Sequence, residues 1–298
     1  MKEHRTFPYV QYDVFTSRRL EGNQLAVFTD ARGLSDAEMQ ALARETNLSE
    51  TTFVIPRDSQ TELDRGVRVR IFTTGEELPF AGHPTLGTAM FLRERDGKDR
   101  IELDLNVGKI PVTFSSDPSG SVTGEMRQRD PEFGSVHSRE EVARAVGVNV
   151  EEIAADLPIQ TTSTGMAFAI VPFRSLSTLA QLRTNWERCS DYLARTDAKF
   201  FYFVSRETVS PEAQLHARMI FYNGEDPATG SAAGCCAAWA VRHGVVASDQ
   251  RALIEQGLEI KRASRIYFRA TRAGDGVVNV RVSGNAVKVM AGEVLLEP

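Results

Sequence analysis

Apolar and polar residues alternate along much of the chain, or apolar residues form short β-branched and aromatic runs. Alternation at every second position is typical of a half-buried strand, and β-branched and aromatic residues favour strands. Residues 67–72, for example, alternate apolar with basic side chains. The pattern predicts strands at 9–14, 24–28, 51–55, 67–72, 101–105, 109–114, 164–172, 200–204, 258–261, 265–270, 277–283 and 288–296.

Helices are fewer than strands in this pattern. Ser35 followed by Glu38 three residues later is a capping-box signature and predicts a helix at 36–45. Further helices are predicted at 88–95, from Ser138 to Val146, at 179–195 and at 232–243. Many strands with few helices indicate an α+β protein rich in antiparallel sheet.

The segment from Leu78 to Ala89 reads L-P-F-A-G-H-P-T-L-G-T-A and leads directly into a predicted helix. Glycine and proline at this density indicate a tight turn. A turn that leads into a helix presents free backbone N–H groups and the positive end of the helix dipole, which together bind anions. His83 is the side chain in this turn whose charge can change near neutral pH.

Parts of the chain repeat. The segment 83–89 aligns with 226–232, and 22–27 aligns with 165–170, both 143 residues apart, whereas 71–76 aligns with 220–225 at a spacing of 149. Three matches in the same order indicate a duplicated domain. We therefore predict two lobes, 1–128 and 129–298, with a boundary near 127–135 and a last strand able to return to the first lobe.

Composition excludes several classes of protein. The 298 residues are 42% hydrophobic and 25% charged, which is ordinary for a folded globular protein. A net charge of −5 gives no reason to expect nucleic acid or an anionic membrane as a partner. The chain has no apolar run of roughly 18 residues and no signal-peptide core at residues 1–9. Three cysteines without a C-x-x-C pair favour a reducing, cytoplasmic location.

Three titratable residues are candidates for catalysis. Glu50 lies where a predicted helix ends and an apolar strand begins, so partial burial there would make its carboxyl a better acid or base. His83 lies in the glycine- and proline-rich turn, and the repeat places Asp226 opposite it. The alternatives are an exposed carboxylate at a helix end, a histidine bonded to backbone and a turn aspartate. We also expect Thr88 and Ser231 to cap the two helices that follow these turns.

Other chemistries are disfavoured. No dinucleotide or phosphate-loop motif occurs, and the lysines lie in no motif for a Schiff-base cofactor, so we expect no cofactor. The five histidines lack ligand-like spacing, and we expect no metal site. Cys235 and Cys236 lie in an apolar helical run, where cysteine is usually a core residue.

Several motifs in the same order resemble the PhzF family of phenazine-biosynthesis isomerases. They are N-L-S-E-T-T-F-V at 47–54, E-L-P-F-A-G-H-P at 77–84, E-D-P-A-T-G-S-A-A-G at 225–234, G-N-x-x-A-V-F at 22–28 and S-G-N at 283–285. The resemblance covers nearly the whole chain. It implies a diaminopimelate epimerase-like fold, in which two pseudo-symmetric domains each wrap a curved, mostly antiparallel sheet around a central helix, with the site between them.

The resemblance also implies roles for individual residues. Related epimerases and proline racemases use two cysteines in C-G-N and C-G-[ST] turns, which here read Ala81-Gly82-His83 and Thr229-Gly230-Ser231, so a two-thiol racemase mechanism is excluded. The family's catalytic residues map onto Glu50, His83, Asp226 and Ser231. We also expect Asn23, Ser49, Gly82, Thr229 and Gly230 to bind the substrate. Family members are commonly homodimers, and we expect a homodimer here.

The residues and the resemblance together predict a cofactor-independent isomerase that moves a proton and a double bond in a small cyclic acid. The resemblance implies the trans-2,3-dihydro-3-hydroxyanthranilate type of substrate. The stretch from Arg218 to Glu225 is shorter than is usual in the family and borders the expected pocket, so it bears on substrate identity. A cysteine-independent epimerase and a non-catalytic small-molecule binding protein are the alternatives. In each case, we expect the two helix N-termini to face one cleft that binds an acidic ligand between Gly82 and Gly230, with Glu50 beside it.

Overall fold

The computed structural model describes residues 4–221 and 224–298. These residues form two compact units: the described residues up to Met126 together with Gly284–Pro298, and Arg127–Ser283. No helix in the described ranges is both long and apolar enough to cross a membrane.

The first unit is a mixed sheet with helices on it. Its strands are β1 (Arg5–Val14), β2 (Asn23–Phe28), β3 (Glu50–Ile55), β4 (Val67–Phe72), β5 (Glu77–Leu78), β6 (Arg100–Leu105), β7 (Gly108–Ser116), β8 (Val122–Arg127) and β18 (Ala286–Leu296). Its helices are α1 (Asp36–Thr46), α2 (Ser59–Arg65) and α3 (Gly82–Asp96). The strand order is β18-β1-β2-β3-β4-β6-β7-β8; β2–β3 and β4–β6 are parallel and the other pairs antiparallel, and β5 forms a hairpin with β4.

Helix α3 is the central helix of this unit. Its residues from Gly82 to Met90 are all buried, and it packs against β1, β2, β3, β6 and β18. Helix α1 packs against β3 and β4, where Met39, Leu42 and Phe53 belong to one apolar cluster. The sheet therefore has a buried helix on one face and a smaller amphipathic helix on the other.

The second unit contains the remaining elements. Its strands are β9 (Glu132–His137), β10 (Ile159–Ser163), β11 (Ala167–Phe173), β12 (Phe200–Ser205), β13 (Leu215–Phe221), β14 (Gly224–Asp226), β15 (Ala252–Gln256), β16 (Ser264–Ala273) and β17 (Gly276–Gly284). Its helices are α4 (Arg139–Val146), a 3₁₀ turn (Val150–Glu152), α5 (Leu176–Gln181), α6 (Trp186–Leu193) and α7 (Gly230–Arg242). The strand order is β9-β10-β11-β12-β13-β15-β16-β17; β11–β12 and β13–β15 are parallel and the other pairs antiparallel, and β14 forms a hairpin with β13.

Helix α7 is the central helix of the second unit. Ten of its residues from Ala232 to Val241 are buried, and it packs against β10, β11 and β16. The edge strand differs, since it is the last strand of the chain (β18) in the first unit and the first of its own unit (β9) in the second. The other strands follow the same order in both units, with the same parallel and antiparallel pairings and a buried helix in the same place along the chain. The α+β class expected from the sequence is confirmed.

Most predicted strands are confirmed, with ends that move by a few residues, but 258–261 is wrong. Those residues form turns, and the strand lies earlier, at β15. Its burial on both faces explains the error, because Glu255 and Gln256 are buried polar residues that break an apolar strand pattern. The helix predicted at 179–195 is two helices, since Asn185 accepts a hydrogen bond from the Arg188 N–H and starts α6.

Candidate active site

Two helix N-termini carry many of the predicted site residues, one in each unit. Helix α3 begins at Gly82 after Ala81, and α7 begins at Gly230 after Thr229. Neither Ala81 nor Thr229 caps its helix with a side-chain hydrogen bond. The first N–H groups of both helices therefore lack that partner, which is the condition for binding an anion there.

The predicted helix starts and caps are wrong in part. Thr88 does not cap α3; it lies inside the helix, and its hydroxyl is 2.8 Å from that of Thr52. Ser231 is the second residue of α7 rather than its cap. The start of α3 was predicted six residues late because Gly82 and Pro84 resemble a turn, although both residues are tolerated in the first turn of a helix.

Three predicted residues meet in the first unit. Asn23 is the first residue of β2 and Glu50 is the first of β3, and these strands pair in parallel so that both begin at the same edge of the sheet. His83 reaches this edge from the first turn of α3. Its Nδ1 lies 3.4 Å from Glu50 Oε2 and 3.4 Å from Asn23 Nδ2. The side chain of Glu50 keeps 17% exposure, so its carboxyl is reachable beside a buried ring.

The imidazole of His83 is neutral. Burial lowers the pKa of His83 to about 3, against a smaller opposing effect of the Gln24 backbone. The expectation that His83 changes charge near neutral pH is therefore wrong, because removing the ring from water disfavours its cationic form. Its Nε2 is buried and has no hydrogen-bond partner in the described part of the chain. A substrate group is one partner that would satisfy that atom.

The proton in the contact between Glu50 and His83 can lie on the Glu50 carboxyl or on the His83 ring. A neutral imidazole nitrogen either donates or accepts, according to its tautomer, and a carboxyl oxygen donates only when protonated. The 3.4 Å contact is therefore a hydrogen bond when the proton lies on Glu50 or when it lies on Nδ1 of His83. Such contacts are often long without substrate and shorten when it binds.

Asp226 lies in the second unit, at the start of the turn between β14 and α7. It ends β14, and its carboxylate Oδ2 accepts a hydrogen bond of 2.6 Å from the Thr229 hydroxyl. This bond explains why Thr229 does not cap α7. The backbone carbonyl of Asp226 accepts a 2.8 Å hydrogen bond from Gln256 Nε2. The carboxylate therefore lies just before the N-terminus of α7 on a well-bonded turn.

An ion pair precedes Asp226. Arg218 on β13 donates to both carboxylate oxygens of Glu225, at 2.9 and 2.6 Å. Its third nitrogen donates to the carbonyls of Leu179 and Leu182 at the end of α5. Residues 222 and 223 of the short stretch from Arg218 to Glu225 lie outside the described residues. The ion pair ties both ends of that stretch together.

The same arrangement occurs in the first unit and corrects the alignment of the repeat. Arg70 on β4 donates to both carboxylate oxygens of Glu77 on β5, again seven residues later. Counting from these hairpins, Gly82 and Gly230 both begin their helices, so equivalent residues are 148 apart rather than 143. His83 therefore corresponds to Ser231, and the predicted pairing of His83 with Asp226 is wrong.

The other predicted binding residues take different positions. Ser49 is exposed next to Glu50, Gly82 and Gly230 are buried in the first turns of their helices, and Ser231 is half-buried. Gln256 was not predicted from the sequence. The signal that could have found it is a pair of polar residues at the end of an apolar run directly before a glycine, at 252–257.

The environment of the three cysteines does not favour thiol chemistry. Cys189, Cys235 and Cys236 are buried and unpaired, and burial raises the pKa of Cys189 and of Cys235 to about 11. Protonated, buried thiols are poor nucleophiles. Among the described residues, no cluster of three or more His, Cys, Asp or Glu could hold a metal ion.

Comparison with known proteins identifies the family of this chain. The family model for phenazine biosynthesis-like proteins, PhzC-PhzF, matches residues 12–292. The trans-2,3-dihydro-3-hydroxyanthranilate isomerase of Pseudomonas aeruginosa is 36% identical over 97% of this chain and 99% of its own. The crystal structure of a PhzF-family protein of Bacillus anthracis is 28% identical, covers 98% of this chain and 100% of its own, and has a TM-score of 0.87.

A more distant structure shows the same fold. A probable proline racemase of Agrobacterium radiobacter has a TM-score of 0.65 at 10% identity, covering 98% of this chain and 94% of its own. The diaminopimelate epimerase-like fold expected from the motifs is supported at this level, and the predicted enzyme class, an isomerase, is confirmed by the names of the relatives. The model match over nearly the whole chain decides the family: this chain belongs to the PhzC-PhzF family of phenazine biosynthesis-like proteins.

Proposed function

We propose that the chain is an isomerase that moves a proton and a double bond in a small cyclic acid, of the trans-2,3-dihydro-3-hydroxyanthranilate type. The name and 36% identity of the Pseudomonas aeruginosa relative support this substrate class. The observation that carries the mechanism is the 3.4 Å contact between Glu50 and the neutral ring of His83. In this mechanism, Glu50 takes a proton from one carbon and returns it to another.

His83 has a supporting role in this mechanism. As a neutral ring, it cannot act as a cation that offsets the charge on Glu50, but it can hydrogen-bond the Glu50 carboxyl or hold a polar substituent of the substrate. Its unpartnered Nε2 favours the second role. Asn23 contacts the opposite ring nitrogen and would keep the ring in place.

Asp226 and the two helix N-termini would bind the polar groups of the substrate. Backbone N–H groups at Gly82, Gly230 and Ser231 would bind its carboxylate and the charge that develops in the transition state, which preorganised donors stabilise. Ser49 and Thr229 would contribute to the binding surface. That both sets of residues serve one substrate stays a proposal, and a bound substrate analogue contacting residues of both sets would support it.

The reaction class is tested by proton NMR of substrate and product in deuterated water. With trans-2,3-dihydro-3-hydroxyanthranilate as substrate, the proposal expects a product whose double bond has moved. Solvent deuterium at an inverted carbon, with the double bond unmoved, would instead identify an epimerase. Binding without any conversion, retained in the Glu50→Gln variant, would identify a binding protein.

The remaining predictions concern the whole protein and stay proposals. We propose two pseudo-symmetric lobes that arose by duplication, 1–128 and 129–298, with the last strand returning to the first lobe; the strand pairings that the two units share support this. A homodimer is proposed from the family resemblance and is tested by light scattering after gel filtration, where a monomer mass would contradict it. A cytoplasmic location is proposed from the cysteine content and is tested by fractionation of the source cells.

A further inference from the structure

Gln256 is a buried amide that no part of the mechanism above requires. It is fully buried at the end of β15. Its Oε1 lies 2.9 Å from the Tyr202 hydroxyl and 3.3 Å from the Thr229 backbone nitrogen. Its Nε2 lies 2.8 Å from the Asp226 carbonyl and 3.1 Å from the Thr229 hydroxyl. One side chain thus makes four hydrogen bonds to the turn of Asp226 and its surroundings.

The orientation of this amide is fixed by its neighbours. The Thr229 N–H can only donate and the Asp226 carbonyl can only accept, so Oε1 must face the first and Nε2 the second. Tyr202 is a neutral phenol, because burial raises its pKa well above the usual value, with a smaller contribution from nearby charge. The phenol therefore donates its hydrogen to Gln256 Oε1.

The fixed amide in turn fixes the direction of a hydroxyl. Thr229 Oγ1 accepts a hydrogen from Gln256 Nε2 and has one hydrogen of its own. That hydrogen points to Asp226 Oδ2, at 2.6 Å. Hydrogen bonds therefore run in one direction, from Tyr202 through Gln256 and Thr229 to Asp226, and each donor strengthens the next.

We infer that Gln256 is a positioning residue of the active site: through the Thr229 hydroxyl, it directs a hydrogen bond onto Asp226 and keeps this carboxylate ionised and oriented. The inference rests on the role proposed above for Asp226. A hydrogen bond donated to a carboxylate favours its charged form. The purpose of the buried amide is then electrostatic as well as structural.

The Gln256→Glu variant is expected to reverse the direction of the hydrogen bond that the Thr229 hydroxyl donates. An ionised Glu at position 256 cannot donate to Thr229, so the Thr229 hydroxyl turns toward residue 256 and Asp226 loses the hydrogen bond from Thr229. We expect kcat to fall by roughly tenfold, the worth of a hydrogen bond to a charged group, and the acid limb of the pH–rate profile to move to higher pH. Thr229→Val removes the same donor and should move the limb in the same direction.

The acid limb of the pH–rate profile distinguishes this positioning role from a role in packing alone. Near the amide, burial raises the pKa of Tyr202 and of Cys235 and Cys236 on α7, so none of these groups titrates in acid. The neighbouring carboxyls of Glu225 and Glu255 are bonded to Arg218 and His216. The Thr229 hydroxyl donates to the carboxyl of Asp226. Gln160→Glu is the matched control, a buried amide of the same unit bonded to Gly134 and His243. It should leave the acid limb in place.

The outcomes decide the inference. An unmoved acid limb in a folded Gln256→Glu variant would overturn it. If that variant does not fold, Gln256→Met is measured in wild type and in the Thr229→Val variant. If Gln256 acts only through the Thr229 hydroxyl, Gln256→Met should not move the acid limb further once that hydroxyl is gone. A further movement in the Thr229→Val variant would overturn the link through the hydroxyl. The Asp226→Asn variant separates the two proposals. Full activity of Asp226→Asn contradicts the proposed role of Asp226. If Asp226→Asn loses activity but Gln256→Glu leaves the acid limb unmoved, only the inference about Gln256 is contradicted.

Discussion

At the scale of the residue, burial decides what His83 can do. The motif around it predicted a site residue, and the structure places it against Glu50. Its protonation could not be predicted from sequence, because the pKa depends on the fraction of the ring removed from water, and the neighbours that bury it come from β2, β3 and α3. The position of Glu50 at the start of an apolar strand was predictable from the sequence. Its 3.4 Å contact with His83 was not.

The first prediction concerns the titration of His83. Because burial lowers its pKa to about 3, we expect no change in its ring signals between pH 5 and 8 in a nitrogen-15 NMR titration. Since the unfolded ring takes up a proton near pH 6.5, the contribution of His83 to the free energy of unfolding is fully present above that pH and is lost as pH falls toward 3. His83 ring signals with a midpoint near pH 6.5, the value of an unperturbed imidazole, would contradict this.

At the scale of the element, buried charge ties β13 to β15 and to the turn after β15. His216 is fully buried, with Nδ1 2.8 Å from Glu255 and Nε2 2.9 Å from Glu259. Burial alone would lower the pKa of His216, but the hydrogen bonds to the two carboxylates outweigh it and raise the pKa to about 9. The imidazolium is therefore present at neutral pH between two carboxylates.

The second prediction concerns stability above neutral pH. A raised pKa contributes stability that is present below the unfolded pKa of about 6.5 and is lost as pH rises through about 9. At pH 7, His216→Gln should lower the free energy of unfolding by about 3–5 kcal/mol, the cost of breaking a buried ion pair. In urea titrations, the gap between wild type and variant should narrow from pH 7 to pH 10. A constant gap would contradict a charged His216, and His4→Gln, which changes an exposed histidine, serves as the control.

The third prediction concerns the packing of α3 against β1 and β2. A Cβ on Gly87 would lie 2.6 Å from Leu25 Cδ2 and 2.7 Å from Val14 Cγ2. Overpacking of this kind costs about 1–3 kcal/mol, more than the roughly 1 kcal/mol that alanine gains over glycine in a helix. Gly87→Ala should therefore lower the urea midpoint. Gly75→Ala, whose Cβ would meet only Thr73 Oγ1 at 3.9 Å, is the control, and equal midpoints for the two variants would contradict the packing.

Element boundaries show where sequence patterns are weakest. The capping box at Ser35 predicted the start of α1 correctly, because a local hydrogen bond decides it. The start of α3 and the strand β15 were missed, since tertiary packing overrides local propensity there: Gly82 lies in a close-packed first turn, and Gln256 is buried through bonds to distant residues. Propensity is a weak guide at such places.

At the scale of the molecule, the fold class and family were predictable, and the register of the repeat was not. Motifs in the right order over nearly the whole chain predicted the family, which the family model confirms. The two units have the same strand pairings, yet His83 corresponds to Ser231 rather than to Asp226. Short glycine- and proline-containing segments align in more than one register, and only the hairpins of Arg70 and Arg218 fix it. The residues at the two helix starts therefore differ between the units, with His83 in one and Ser231 in the other.

The central claim is that Glu50 transfers the proton, and the turnover of Glu50→Gln on trans-2,3-dihydro-3-hydroxyanthranilate tests it most directly. Glu45→Gln, an exposed glutamate on α1, is the matched control and should leave kcat unchanged. Because general acid–base groups contribute about 10²–10⁴-fold, kcat of Glu50→Gln should fall by that factor while the protein stays folded. Turnover within about threefold of wild type, well below the factor expected of such a group, would contradict the account.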